Sequence, residues 1–97
     1  MVRGGSVYIM SNRHRTVYYV GMTADLHRRV MQHQSGEGSA FTKKYQCTEL
    51  IYYETFSRIE EAIAREKELK KWKRVWKEEL IRTLNPTLQD LTDEIVN

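Results

Sequence analysis

The chain has 97 residues, 16 of them lysine or arginine and 13 aspartate or glutamate, for a formal net charge of +3. A chain of this length is expected to form a single domain over residues 1–97, with one modest core and no separate specificity module, and so small a charge does not by itself argue for nucleic acid. The single cysteine, Cys47, excludes an intrachain disulfide and suits a reducing cytoplasm, while no apolar stretch approaches transmembrane length.

Met1 to Gly5 reads as a frayed lead-in with no signal-peptide pattern. Two runs of β-branched and aromatic residues, Val7–Met10 and Thr16–Gly21, flank Asn12-Arg13-His14-Arg15. They predict a β-hairpin, without the Asn-Gly or Asp-Gly of the tightest turns. A four-residue loop would set Ser11 against Thr16 and Tyr8 directly opposite Tyr19. Side chains alternate along a strand, so Tyr8, Met10, Val17, Tyr19 and Gly21 share one face, and Val7, Ile9, Tyr18 and Val20 the other. Two phenols then lie side by side, next to a glycine that leaves the surface open. A helix follows, capped by Thr23 or Asp25, with Leu26, Val30 and His33 as its packing stripe. Arg29, one turn before His33, brings a guanidinium near the imidazole and the phenols. Its planar fork suits a phosphate.

Ser35 to Ser39 is a flexible loop by composition. Phe41 and Tyr45, at i and i+4, predict one helical turn packed on the body with Lys43 and Lys44 outward. This long connection either borders a site, where a DNA strand could lie, or is plain surface. Glu49 to Phe56 is the third strand, and Tyr52, Tyr53 and Tyr18 are assigned to packing. Ser57-Arg58-Ile59-Glu60 reads as a capping box. The helix behind it should bury Ile59, Ala62, Ile63, Glu66 and Leu69. Glu66 breaks that stripe, and a buried carboxylate needs a positive partner, Arg29 or a lysine, or a metal. After a break near Lys71-Trp72-Lys73, a last long helix should bury Trp76, Leu80 and Leu84, with Val75 and Ile81 beside them. Both tryptophans are read as packing. Pro86 stops this helix, Asn85 sits at its end, and Leu88, Leu91 and Ile95 dock the segment from Thr87 to Asn97. Positive charge gathers in Arg65–Arg82 and at Lys43-Lys44, as a phosphate-binding patch or as a solvated helix face, and the tail Asp90–Glu94 is acidic. The expected fold is α+β, a small three-stranded antiparallel sheet flanked by helices.

Ser6-Val7-Tyr8, Tyr19-Val20-Gly21, Arg29, His33, Glu66 and Asn85-Pro86, in that order, resemble the GIY-YIG nucleases. The likeness covers Ser6 to Leu91. It is greatest to the small stand-alone bacterial members, which look like the N-terminal nuclease domain of the excision-repair incision subunit. The resemblance implies a metal-dependent endonuclease acting in repair, recombination or processing, with DNA ahead of RNA as substrate, and the small size of the chain predicts low sequence specificity. It implies catalytic roles for Tyr8, Tyr19, Arg29, His33 and Asn85, with either tyrosine as the general base. Glu66 would be the single protein ligand of one Mg²⁺ or Mn²⁺. Lys43, Lys44, Arg28, Lys70 and Lys73 would contact nucleic acid. The setting would be cytoplasmic, with no membrane contact, and the protein alone or a homodimer. His14 and His27 are read as bystanders, since the histidines and Cys47 make no zinc spacing. The competing readings are an inactive nucleic-acid-binding module of the same fold and a dimeric accessory protein in repair.

Overall fold

A computed structural model describes residues 4–96. Its elements are β1 (Gly5–Ser11), β2 (Tyr18–Thr23), α1 (Leu26–Gln34), α2 (Ala40–Lys44), β3 (Glu49–Phe56), α3 (Ile59–Lys70), α4 (Arg74–Leu84) and α5 (Thr92–Val96). The sheet is antiparallel, in the order β2-β1-β3. The expected α+β fold is therefore the one observed. Gly5 opens β1 rather than ending a frayed segment, and the rest of the expected lead-in, residues 1–3, lies outside the described residues, as does residue 97.

β1 is buried along its whole length, which is why its sequence, Ser6 to Met10, lacks a polar alternate: helices cover both of its faces. On one face Val7, Ile9 and Val20 pack with Ala62 and Leu69 of α3 and Ile81 of α4. On the other, Tyr8 and Met10 pack with Val30 of α1, Cys47, Leu50 and Leu91. The two layers follow the alternation read from the sequence. A bulge between Ile9 and Met10, opposite Ile51 of β3, shifts the register of that ladder.

The hairpin register differs from expectation. Ser11 pairs with Tyr18, Met10 with Tyr19 and Tyr8 with Gly21, so Tyr8 is not opposite Tyr19. The cause is Asn12. Its side-chain Oδ1 accepts the amides of Thr16 (2.9 Å) and Val17 (3.0 Å), drawing both residues out of the ladder and into the turn. Because the slip is two residues, every side chain keeps its predicted face. Arg15 holds the wider turn in a left-handed conformation (φ 60°) while its guanidinium bonds Glu49 at 2.7 Å and the carbonyl of Leu88 at 2.9 Å.

Two helix expectations fail. The capping box before α3 does not form: Arg58 is the N-cap and makes no side-chain cap bond. Glu60 and Glu61 instead favour that end through the helix dipole. In α4 the buried residue is Ile81, with Leu80 partly covered, as is Trp72 in the turn before the helix. Trp76, Val75 and Leu84 are exposed. The break at Lys71–Lys73 was expected, but α4 turns Ile81 and Leu80 toward the sheet layer and leaves Trp76 and Leu84 exposed.

Candidate active site

β1 carries Tyr8 into the layer beneath α1, where its side chain is 1% exposed. The ring lies across Gly21 on the neighbouring strand. A Cβ at Gly21 would overlap the phenol's Cζ and Oη, so this glycine is filled by Tyr8 rather than leaving open surface. Asp25 caps α1 by accepting the Arg28 amide at 3.1 Å, and the helix then delivers Val30 and His33 to the interior. Tyr8 Oη and His33 Nε2 are 3.0 Å apart. Tyr19 completes a cluster of three rings, with centroids 6.4 Å from Tyr8 and 5.8 Å from His33.

Burial first, and nearby charges second, set the protonation of this cluster. Burial pushes the Tyr8 phenol above the usual range; Tyr19 and Glu66 add to that, and Arg29 opposes it. Burial, and then the positive charge of Arg29, lower His33 to about 4. At neutral pH a neutral phenol therefore faces a neutral imidazole. His33 Nδ1 has no hydrogen-bond partner among the described residues. It adjoins a cavity of about 390 Å³ lined by Gly36, Gly38, Thr42 and Gln46. Gly38 is required there, since a Cβ would collide with His33 Nδ1 and Thr42 Oγ1. The sequence reading took Gly38 for mere loop flexibility. Its position just before the Ser39 cap of α2 was the available signal.

Arg29 is in no ion pair or side-chain hydrogen bond among the described residues. With Arg28, Thr23, Asp25, Gln32 and Ile59 it lines a groove of about 450 Å³ between the starts of α1 and α3. An unpartnered guanidinium there can receive an anion. Glu66, 22% exposed, reaches Lys70 Nζ at 3.4 Å through Oε2, so a lysine is its ionic partner. No group of three His, Cys, Asp or Glu among the described residues could hold a metal ion. A lone hard carboxylate does fit a Mg²⁺-like ion that keeps most of its water and takes phosphate oxygens.

The other expected site residues are dispersed. Asn85, buried at the end of α4, donates to the carbonyls of Ile51 (3.0 Å) and Gln89 (2.7 Å) and accepts the Gln89 amide (3.0 Å). Its bonds all go to backbone, and none goes to the tyrosines. Arg28, Lys43 and Lys44 are exposed. Lys73 lies 5.6 Å over the Trp76 ring. Much of the Arg65–Arg82 positive charge is engaged internally. Arg65 bonds Glu54 and Glu68, Arg74 bonds Glu78 and the Thr16 carbonyl, and Arg82 bonds the Pro86 carbonyl. Phe41 and Tyr45, expected to pack inward, are exposed, and α2 buries only Thr42.

A small antiparallel sheet thus carries two tyrosines on one face, with a histidine of the next helix against them and an arginine of that helix one turn before it. The family profile described as GIY-YIG catalytic domain matches residues 4–79, and the chain belongs to that family. Its members are typically nucleases, acting on nucleic acid with divalent metal ions. Within the family the chain is similar to UPF0213 proteins. It is 42% identical over 64 residues to one from Streptococcus pneumoniae, covering 66% of this chain and 65% of that protein. It is 37% identical over 75 residues to one from Natronomonas pharaonis, covering 77% and 87%. The match to the pneumococcal protein thus spans just under two thirds of its length. The solution NMR structure of a UPF0213 protein from Bacillus halodurans superposes with a TM-score of 0.58 at 29% identity, covering 97% of this chain and 99% of that one. No helix among the described residues is long and apolar enough to cross a membrane.

Proposed function

We propose that this chain is a divalent-metal-dependent endonuclease that hydrolyses phosphodiester bonds, DNA before RNA, with low sequence specificity and in the cytoplasm. The observation that carries the reading is the 3.0 Å contact between Tyr8 Oη and His33 Nε2, with the unpartnered Arg29 of the same helix lining the adjoining groove. A strongly buried phenol does not sustain a negative charge. As general base, Tyr8 Oη therefore takes a proton from the attacking water while passing its own to His33 Nε2, and no free phenolate forms. This requires the His33 tautomer with its hydrogen on Nδ1. The water oxygen bonds to phosphorus, the P–O3′ bond breaks, and the leaving oxygen is protonated from solvent. Arg29 holds the scissile phosphate and stabilises the charge of the transition state, an effect worth about 2.7–4 kcal/mol by analogy with oxyanion donors. The bound phosphate also offsets the Arg29 charge that depresses His33, making the imidazole a better acceptor when substrate is present. Tyr19 positions the water or the phosphate. Glu66 would hold the Mg²⁺ or Mn²⁺, giving Lewis-acid assistance at the leaving oxygen.

The Lys70–Glu66 ion pair favours one other reading, a binding module whose carboxylate is occupied by a lysine. Labelled single-stranded, duplex, branched and RNA substrates, incubated with Mg²⁺, Mn²⁺ or EDTA, separate the two. Metal-dependent cutting should fall about 100-fold or more in Tyr8→Phe and disappear in Glu66→Gln. Binding without cutting under either metal supports the module instead. Cutting that survives Glu66→Gln refutes its metal role.

A further inference from the structure

The helix α2 exposes aromatic side chains where a helix this close to a core would ordinarily bury them. Phe41 is 42% and Tyr45 41% exposed. Their rings lie 4.7 Å apart, and Phe41 lies 5.8 Å from Tyr19 at an interplanar angle of 31°. Tyr19 in turn adjoins His33. The result is a chain of neighbouring rings, each tilted against the next, from the Tyr8–His33 pair out to the exposed Phe41 and Tyr45. Lysines accompany it: Lys44 Nζ lies 5.3 Å over the Tyr45 ring, and Lys43 precedes it on the same short helix. No acidic residue occurs between Gly38 and Thr48. Aromatic faces interleaved with unopposed positive charge suit a polyanion that carries flat rings, which is the chemistry of a nucleic-acid strand.

We propose that α2 is a stacking platform on which an unpaired base of the substrate lies against Tyr45 and Phe41 while Lys43 and Lys44 take the flanking phosphates. In a duplex each base already has both faces covered by its neighbours. The substrate is therefore single-stranded or locally unpaired nucleic acid, not intact duplex. This deepens the nuclease reading above and rests on the strand's reaching Arg29, but binding to the platform needs no cleavage.

The test uses the whole protein in EDTA with a short DNA strand carrying 2-aminopurine, an RNA of the same sequence, and the DNA duplex. Anisotropy reports binding, and quenching of the 2-aminopurine reports stacking. The single strands should bind more tightly than the duplex and be quenched, and equal quenching of DNA and RNA makes the base the recognised feature. Tyr45→Ala and Phe41→Ala should each weaken binding by roughly 5- to 100-fold and abolish the quench. Tyr45→Phe keeps the ring and should retain both. Duplex bound as tightly as single strand, or alanine variants that bind and quench like the parent, overturns the platform. Quenching without cleavage on later addition of metal supports the platform and counts against the nuclease. Cleavage untouched by Tyr45→Ala does the reverse.

Discussion

His33 shows how one side chain ties the chemistry of the site to the stability of the fold. Its ordinary value is 6.5, and burial with the Arg29 charge lowers it to about 4 in the folded chain. Between those values the unfolded chain binds more protons than the folded one, so stability rises with pH across the window and is lost as pH falls from about 6.5 toward 4. Urea unfolding at neutral and mildly acidic pH should show the parent losing about 1–3 kcal/mol more than His33→Gln. A pH-independent difference between the two would show that His33 keeps an ordinary affinity for protons. The grouping of Tyr8, Tyr19, Arg29 and His33 was legible because the strand period of two and the helix period of 3.6 are local properties. The His33 Nδ1 environment was not. It depends on Gly38 and Thr42, whose positions are set by how α2 folds back on α1.

At the scale of elements, the hairpin register was misread because an asparagine acts on backbone, and a second asparagine does the same at the end of α4, which Pro86 and Asn85 mark where the sequence places it. Asn12 widens the first turn. Asn85 ties the end of α4 to the β3 carbonyl of Ile51 and to Gln89. Residue type marks both positions as turn or cap, but not which distant carbonyl each will meet. Removing the Asn85 amide leaves the Ile51 carbonyl without that donor. Asn85→Ala should destabilise the protein by about 2–3 kcal/mol in urea titrations, with little change in cleavage per folded molecule. A large loss of cleavage at unchanged stability would return Asn85 to the reaction. The row in α4 failed differently: periodicity found an amphipathic helix but did not fix which stripe of it, Ile81 or Trp76, meets the sheet.

For the whole molecule, formal charge understates how unevenly the positive groups are available. Arg65, Arg74 and Arg82 are engaged with carboxylates or carbonyls, whereas Arg28, Lys43 and Lys44 are exposed and, among the described residues, in no ion pair. The salt dependence of single-strand binding should reflect that division. Lys43→Ala and Lys44→Ala should each reduce the slope of log affinity against log salt by about 0.7–0.9. Arg65→Gln should leave the slope unchanged while weakening the fold. Equal slopes for all three variants would mean that the strand does not follow α2. The sheet and its two layers were readable from composition and alternation. The free charge was legible only in part: pairs such as Arg65–Glu68 and Arg74–Glu78 follow from helix spacing, whereas Arg65–Glu54 joins α3 to β3.

β1 has one further consequence. Tyr8, Tyr19, Arg29 and His33 all lie before the first β3 residue, Glu49. β1 acquires its second ladder only when Gly5 meets Phe56 and Ser11 meets Glu49, and the Tyr8 layer closes only when the Leu91 amide reaches the Leu50 carbonyl at 2.6 Å. A two-stranded hairpin is marginal in water by itself, and ladders between distant segments form late because the intervening loop must first be closed. During synthesis the ribosome thus delivers the reactive groups early and their support last. Ordering of the phenol–imidazole pair is therefore expected to follow the arrival of β3 and of Leu91, well after that of the reactive groups themselves.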